Sequence, residues 1–300
     1  MKSTQSKSRL KRGEALTGIL FVIPSLLMWS YWFLFPAIKS MRLSFYEYSY
    51  IRPEEATFVG FDNFKRLFAD KKFLASIQHS LFLVVCAVIL LTVLSFSIAL
   101  LLQSNIKGKT FFRTSYYMPY VISSVAVSIF FMYFFIKGGV GSTLFSFLGL
   151  KNTTWFTDTK YALIFVLIIY IWQQIGFYMI LYISGLQSIS RELYEAAEID
   201  GANGWKKTRY ITIPLVKPTT YMVITLCMIN SFQIFDQIAA ISKQNPLGSP
   251  AGSTSTMVTF LYQQSFSYMD MGYGSAAAMV LVVFIFGLSM LRNFLTKEEA

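Results

Sequence analysis

The chain has 300 residues, of which 55% are hydrophobic and only 14% charged, against roughly a quarter charged in an ordinary soluble domain. That is too little polar surface to coat a water-soluble globule of this size, so composition predicts an integral membrane protein. The net charge of +11 does not point to nucleic acid, because Lys and Arg sit between apolar runs and not in a basic stripe with exposed aromatics.

Six apolar stretches reach or approach the roughly 20 helical residues that cross a hydrocarbon core. They lie at 16–38, 78–102, 116–136, 161–186, 218–240 and 275–295. In lipid every backbone polar group must be paired within its own segment, so each is read as a helix. No ten-residue alternation suggests a barrel. The expected fold is an all-α membrane protein of about six spans, with a basic N-terminus at 1–15, a membrane domain at 16–295 and a short tail at 296–300. Lys2, Lys7, Arg9, Lys11 and Arg12 precede the first span. Its apolar run exceeds the roughly 7–15 residues of a signal-peptide core and no small-residue cleavage site follows, so it is read as an uncleaved helix. The segment 57–77 is amphipathic, with Phe61, Phe64, Leu67 and Phe68 on one face, and is expected to lie on the membrane surface. Gly138 to Gly141 and Gln244 to Pro250 supply turn chemistry after the third and fifth spans.

Basic residues predict sidedness. With the N-terminus inside, 15 of the 26 Lys and Arg fall in the short cytoplasmic segments, and the remainder spread over longer outer loops. Both termini and the loop 187–217 are therefore expected in the cytoplasm. Cys86 and Cys227 lie in apolar runs without metal-ligand spacing and read as packing residues; His79, the only histidine, reads as an interfacial polar residue. One histidine and scattered acids do not make a catalytic cluster. The absence of a Gly-x4-Gly-Lys-Ser/Thr run means that no nucleotide site is expected, and hence no enzyme activity.

The loop 187–217 is the most informative segment. Ser190 is a good N-cap, Glu192 places negative charge in the first turn, and Gly201 is a stop signal, so a short helix is expected over 190–200. Leu193, Ala196 and Ala197 share one face and Glu192, Glu195 and Glu198 another. Pro214 and Pro218 mark the start of the next span. Two readings follow from the residues: a docking helix for a soluble partner, or an amphipathic helix on lipid. The acidic residues favour the first, because cytoplasmic leaflets are anionic.

Glu195-Ala196-Ala197, Gly201, Ile211, Ile213 and Pro214 reproduce the spacing of the EAA motif, with Ile213 in place of Leu. In this the chain resembles the inner-membrane permease subunits of ATP-driven, binding-protein-dependent importers. The resemblance covers most of the chain and narrows to the maltose- and glycerol-phosphate-type sugar permeases. It is carried by Phe58-Val59-Gly60-Phe61-Asp62-Asn63-Phe64, by Pro119 with Val121-Ile122, by Gly185-Leu186-Gln187-Ser188-Ile189 with Glu192-Leu193-Tyr194, by Phe232-Gln233-Ile234-Phe235-Asp236, and by Gly272-Tyr273-Gly274-Ser275-Ala276-Ala277. Thr208 stands where members often carry an aromatic, Gln244–Pro246 replaces a Gly-Gly-Pro, and 39–77 is too short for the large outer domain of some maltose-type subunits.

The resemblance implies a type I ABC importer permease fold in a bacterial inner membrane. It implies a second permease subunit as heterodimer partner, two ATPase subunits that bind ATP and Mg, an outer solute-binding protein and a sugar substrate. No cofactor is implied in this chain. Glu195, Ala196, Ala197, Asp200, Gly201, Ala202 and Pro214 would form the ATPase-coupling element, with the helix seated in a cleft of one ATPase subunit. For the substrate path, Trp172, Gln173, Tyr178, Asn230, Gln233 and Asp236 stand out as polar or aromatic groups in the fourth and fifth spans. The same side chains also serve as helix–helix glue. The competing class is an ion-coupled secondary transporter or channel, which usually carries charged residues in mid-span and often repeated halves. The spans here are almost free of charge and no repeat is visible.

Overall fold

The structure, a computed structural model, describes residues 17–103, 107–149, 153–242 and 246–297. The basic stretch 1–15, and Gln244 and Asn245 of the predicted outer turn, lie outside the described residues. Helices α1 (Thr17–Leu43), α2 (Asp62–Ala69) and α3 (Lys71–Gln103) come first, with two short antiparallel strands, β1 (Tyr46–Glu47) and β2 (Thr57–Phe58), between α1 and α2. Next are α4 (Lys109–Val121), α5 (Ser124–Phe134), α6 (Val140–Ser146), α7 (Ala162–Gln187) and α8 (Arg191–Ile199). The chain closes with α9 (Gly204–Lys207), α10 (Ile213–Phe232), α11 (Asp236–Ser242), α12 (Met257–Tyr262) and α13 (Met271–Lys297). Among the described residues, five helical segments are long and apolar enough to cross a membrane; the α4–α5 pair makes a sixth if counted as one span.

Three expectations need correction. The stretch 116–136 is not one straight helix: α4 and α5 meet at a bend of 100°. Pro119 has no N–H to continue the ladder, Ile122 takes an extended conformation (ψ 141°), and Ser123 starts the next helix. The fifth stretch breaks at 233–235, where Gln233 caps α10 by donating its N–H to Asn230 O at 3.1 Å. Its start is also earlier than Pro214: α9 runs through a π turn at Thr208–Thr212 into α10. In that turn Ile213 N–H bonds to Thr208 O, five residues back, which absorbs the donor that Pro214 lacks. A second π turn, Ser30–Leu34, stands in the same relation to Pro36.

The third correction concerns 57–77. Only α2 forms a separate surface helix, and 71–77 already belong to α3. Leu67 is fully buried against the neighbouring helices, whereas Phe61 and Phe68 remain exposed, so the aromatic face is split between core and surface. Asn63, which is buried, anchors α2 by donating to Ser44 O at 3.0 Å and Tyr46 O at 2.9 Å.

The packing centre is α7. It is flanked by α3, α4 and α10, and α3 also lies against α10. Glycines set the closest approaches. A Cβ at Gly176 would collide with the carbonyl of Tyr116 in α4, and one at Gly185 with the Thr219 side chain in α10. Close backbone approach through small residues is the usual way helices associate in lipid, where burial of apolar surface adds little drive. One core lies around Leu83, Ala87, Phe165 and Ile169; a second joins α2, α3, α12 and α13 around Phe73, Phe260 and Tyr273.

Candidate functional site

Two regions concentrate the residues that the sequence singles out. The first is α8. Ser190 Oγ accepts from Glu192 N–H at 3.3 Å, which caps its start. Its end is a Schellman closure: Ala202 N–H bonds to Ala197 O at 2.8 Å and Gly201 N–H to Glu198 O at 3.0 Å. Gly201 has φ +74°, a conformation that other residues adopt at a cost. Capped at both ends, nine residues hold a helix that would be marginal alone.

Two contacts tie α8 to the chain that follows. Tyr194 OH is 2.9 Å from Thr212 Oγ1, and Glu198 pairs with Lys207. Lys207 beside it holds the Glu198 carboxyl below the usual carboxylate range. Helix α8, the π turn and the start of α10 are thus one braced unit. Its outer surface is open: Glu195 is exposed and pairs with Arg191 at 3.0 Å, Ala196 and Asp200 are exposed, and Ala197 and Ala202 are half-buried. Pro214 is exposed in the first turn of α10. Sequence reasoning missed Ile199, 88% exposed, and the bracing by Tyr194 and Lys207. Together with Leu193, Trp205 and Tyr210, Ile199 gives this end of the molecule exposed apolar groups beside charges. Of the face that Leu193, Ala196 and Ala197 share, only Ala197 is half-buried; the other half-buried residue of α8 is Tyr194.

The second region is a pocket of about 280 Å³ between the two helix breaks. Tyr120 and Ser124 line it from the α4–α5 bend, Tyr170 and Gln174 from α7, and Asn230, Gln233, Phe235, Asp236 and Gln237 from the α10–α11 break. Amides, two phenols, a serine hydroxyl and one carboxylate line it together with the Phe235 ring, and none of its lining residues is basic. Broken helices put backbone and polar side chains at membrane depth only where they line a cavity or are buried in protein.

The six path candidates separate here. Asn230, Gln233 and Asp236 line the pocket. Tyr178 is fully buried, its hydroxyl accepting from Asn230 Nδ2 at 3.2 Å, so it positions Asn230 from behind. Gln173, 2% exposed, spends both ends of its amide: Nε2 donates to Ile122 O at 2.9 Å and Oε1 accepts from Gln237 Nε2 at 3.1 Å. Trp172 points to a different, apolar groove of about 560 Å³ beside Phe111, Phe112 and Pro119. Tyr120, Ser124 and Phe235 were not among the candidates; Pro119 followed by the Ser123-Ser124 pair inside an apolar run was the available signal of a break.

Helix α7 joins the two regions. Gln174 in the pocket and Gln187 beside the loop lie on one uninterrupted helix, about 20 Å apart by helical rise.

The chain matches the family described as "Binding-protein-dependent transport system inner membrane component" over residues 92–297. It is similar to the lactose transport system permease protein LacF of Rhizobium radiobacter, 32% identical over 99% of each chain. The multiple sugar-binding transport system permease protein MsmF of Streptococcus mutans is 33% identical, covering 94% of this chain and 95% of that one. The arabinooligosaccharides transport system permease protein AraP of Bacillus subtilis is 30% identical over 91% and 86%. In fold, the chain matches a bacterial ABC transporter involved in the import of the acidic polysaccharide alginate, with TM-score 0.81 and 22% identity, covering 98% of this chain and 99% of that one. A bacterial alginate ABC transporter in complex with an alginate pentasaccharide-bound periplasmic protein gives TM-score 0.80 and 22% identity, covering 97% and 96%.

Proposed function

This chain belongs to the family of binding-protein-dependent transport system inner membrane components, and from that premise we propose that it forms half of the translocation path of an ATP-driven importer of a sugar or oligosaccharide. The observation that carries this reading is the braced, doubly capped helix α8, set at the end of a helix that also lines a polar pocket. The lactose, multiple-sugar and arabinooligosaccharide systems among its relatives support a carbohydrate. So does a pocket of amides, phenols and rings, the groups that bind hydroxyls and sugar faces.

In this reading a second permease subunit supplies the other half of the path. Two ATPase subunits bind ATP and Mg, and an outer solute-binding protein delivers the sugar. Helix α8 sits in a cleft of one ATPase subunit, with Glu195, Ala196, Ala197, Asp200, Gly201, Ala202 and Pro214 as its coupling element. Closure of the ATPase pair moves α8 as a rigid body. The Tyr194–Thr212 and Glu198–Lys207 contacts carry that motion into α10, and α7 carries it to the pocket. A limp loop would absorb the motion. The outcome is alternating access, with the energy supplied by a partner. Both termini and the loop 187–217 face the cytoplasm in this reading, which the bias of Lys and Arg toward those segments supports. Gln233, Asn230 and Asp236 contact the sugar; Gln173 and Tyr178 hold the pocket walls.

The test is affinity purification of the chain in mild detergent, with mass spectrometry of what accompanies it and an ATPase assay. Co-purifying ATPase and second permease subunits, with hydrolysis stimulated by a solute-binding protein, are the expected result. A chain that purifies alone and transports in liposomes without ATP overturns the reading in favour of an ion-coupled transporter.

A further inference from the structure

We propose that a cavity at the opposite end of the molecule from α8 is the socket for an acidic side chain of the solute-binding protein. The inference rests on the importer reading above and names the chemistry of one of its contacts. The cavity measures about 500 Å³ and lies between the start of α3 and the segment 246–268. Lys71 and Lys72 stand on one wall; Ser249, Ser255, Gln263 and Gln264 face them.

Three observations point to an anionic occupant. Neither lysine forms an ion pair among the described residues, while Arg66 nearby is paired with Asp270 at 3.0 Å. The adjacent carboxylate, Asp70, is already engaged by Lys72 N–H at 2.8 Å and by Tyr273 OH at 3.1 Å. Both lysines occupy the first turn of α3, where the helix dipole favours negative charge, and the acid at that start is Asp70, whose carboxylate is already engaged. Two cations placed against the local field, with neutral donors opposite, suit a carboxylate that arrives from outside.

The wall opposite the lysines is held in place. His79 Nδ1 lies 3.0 Å from Ser255 O, Met257 N–H donates to Ser80 Oγ at 2.9 Å, and Thr254 Oγ1 donates to Ser249 O at 2.8 Å. The loop is therefore pinned to α3 and presents a formed socket. The position fits the occupant. Helix α3 runs 33 residues, about 50 Å, from Lys71 to Gln103. At its far end Gln103 reaches Leu186 O, just before α8. The socket and the coupling helix therefore lie at opposite ends of α3, and a face opposite the ATPase is where a binding protein acts.

The experiment measures ATPase activity of the full complex in nanodiscs against concentration of the solute-binding protein found by the purification above. Wild type, Lys71→Glu/Lys72→Glu and Lys71→Arg/Lys72→Arg are compared in phosphatidylcholine discs and in discs containing phosphatidylglycerol. Assembly of each variant is checked by size-exclusion chromatography. Charge reversal is expected to raise the half-stimulating concentration roughly tenfold or more in both lipids, with the arginine variant staying near wild type. The gap between reversed and wild-type complexes is expected to narrow as salt increases. An unchanged half-stimulating concentration overturns the socket. An effect confined to phosphatidylglycerol discs overturns it in favour of a lipid headgroup. A wild-type complex with no stimulation by any binding protein instead overturns the importer reading itself.

Discussion

The side-chain amide of Gln173 lies 2.9 Å from the carbonyl oxygen of Ile122, the residue at which α4 and α5 part at 100°. A bend in an apolar environment frees backbone carbonyls that water cannot satisfy. Gln173 supplies the missing donor, and through Gln237 it also ties the bend to the α10–α11 break. Both breaks that frame the pocket thus hang on one buried side chain.

Gln173→Leu is therefore expected to act on stability before it acts on substrate. It leaves the Ile122 carbonyl and the Gln237 amide without a partner, at about 1–3 kcal/mol for each buried group left unsatisfied. Thermal denaturation of the purified complex should shift downward. A melting temperature equal to wild type, combined with weaker sugar binding, would return Gln173 to the substrate path.

Gln233→Ala is expected to behave in the opposite way. The residue is exposed and lines the pocket, and among the described residues no hydrogen bond of its side chain to a protein partner is seen. Loss of one hydrogen bond worth about 0.5–1.5 kcal/mol should weaken transport roughly two- to tenfold while the complex assembles normally. Uptake of labelled sugar measures the first and size-exclusion chromatography the second. A failure to assemble would make Gln233 structural.

The coupling loop offers a pair of variants with different physics. Gly201→Pro forces φ from +74° to about −65° and removes the N–H that closes the helix on Glu198 O. Glu195→Lys removes only an exposed pair with Arg191, a change usually within about 1 kcal/mol. Both are expected to abolish uptake and stimulated ATPase while membrane insertion persists. Normal uptake in the two variants would remove α8 from the coupling path.

Glu198 gives a pH prediction. Its carboxyl titrates below its ordinary 4.5 because Lys207 hydrogen-bonds and attracts the ionised form. A depressed acid contributes above its unfolded value and loses that contribution as pH falls through the folded one. Protection of α8 amides from hydrogen exchange, corrected for intrinsic rates, should be constant around neutrality and fall below pH 4.5. In Glu198→Gln the protection should be slightly lower at neutral pH and lack this step. Identical profiles in the two proteins would show that the pair does not brace the helix.

Sequence alone determined where the apolar helices lie, and it located the short helix after Ser190 with both its ends. These features depend on local physics. A segment in lipid must pair its own backbone, so length and hydropathy are enough, and caps are read within a few residues of the helix they close. The tertiary structure decided which polar side chains are walls and which are glue. Gln173, Gln174 and Gln237 look alike along the chain, yet the carbonyl of Ile122, 51 residues away, claims the first and the first in turn claims Gln237. The tertiary structure also decided the 100° bend at Ile122, because the groups that make an exposed carbonyl tolerable come from another helix. Which face of α8 stays free was settled in the same way, by Thr212 and Lys207 reaching back to Tyr194 and Glu198. A hydrogen bond across sequence leaves no periodic trace, so only the folded arrangement reveals it.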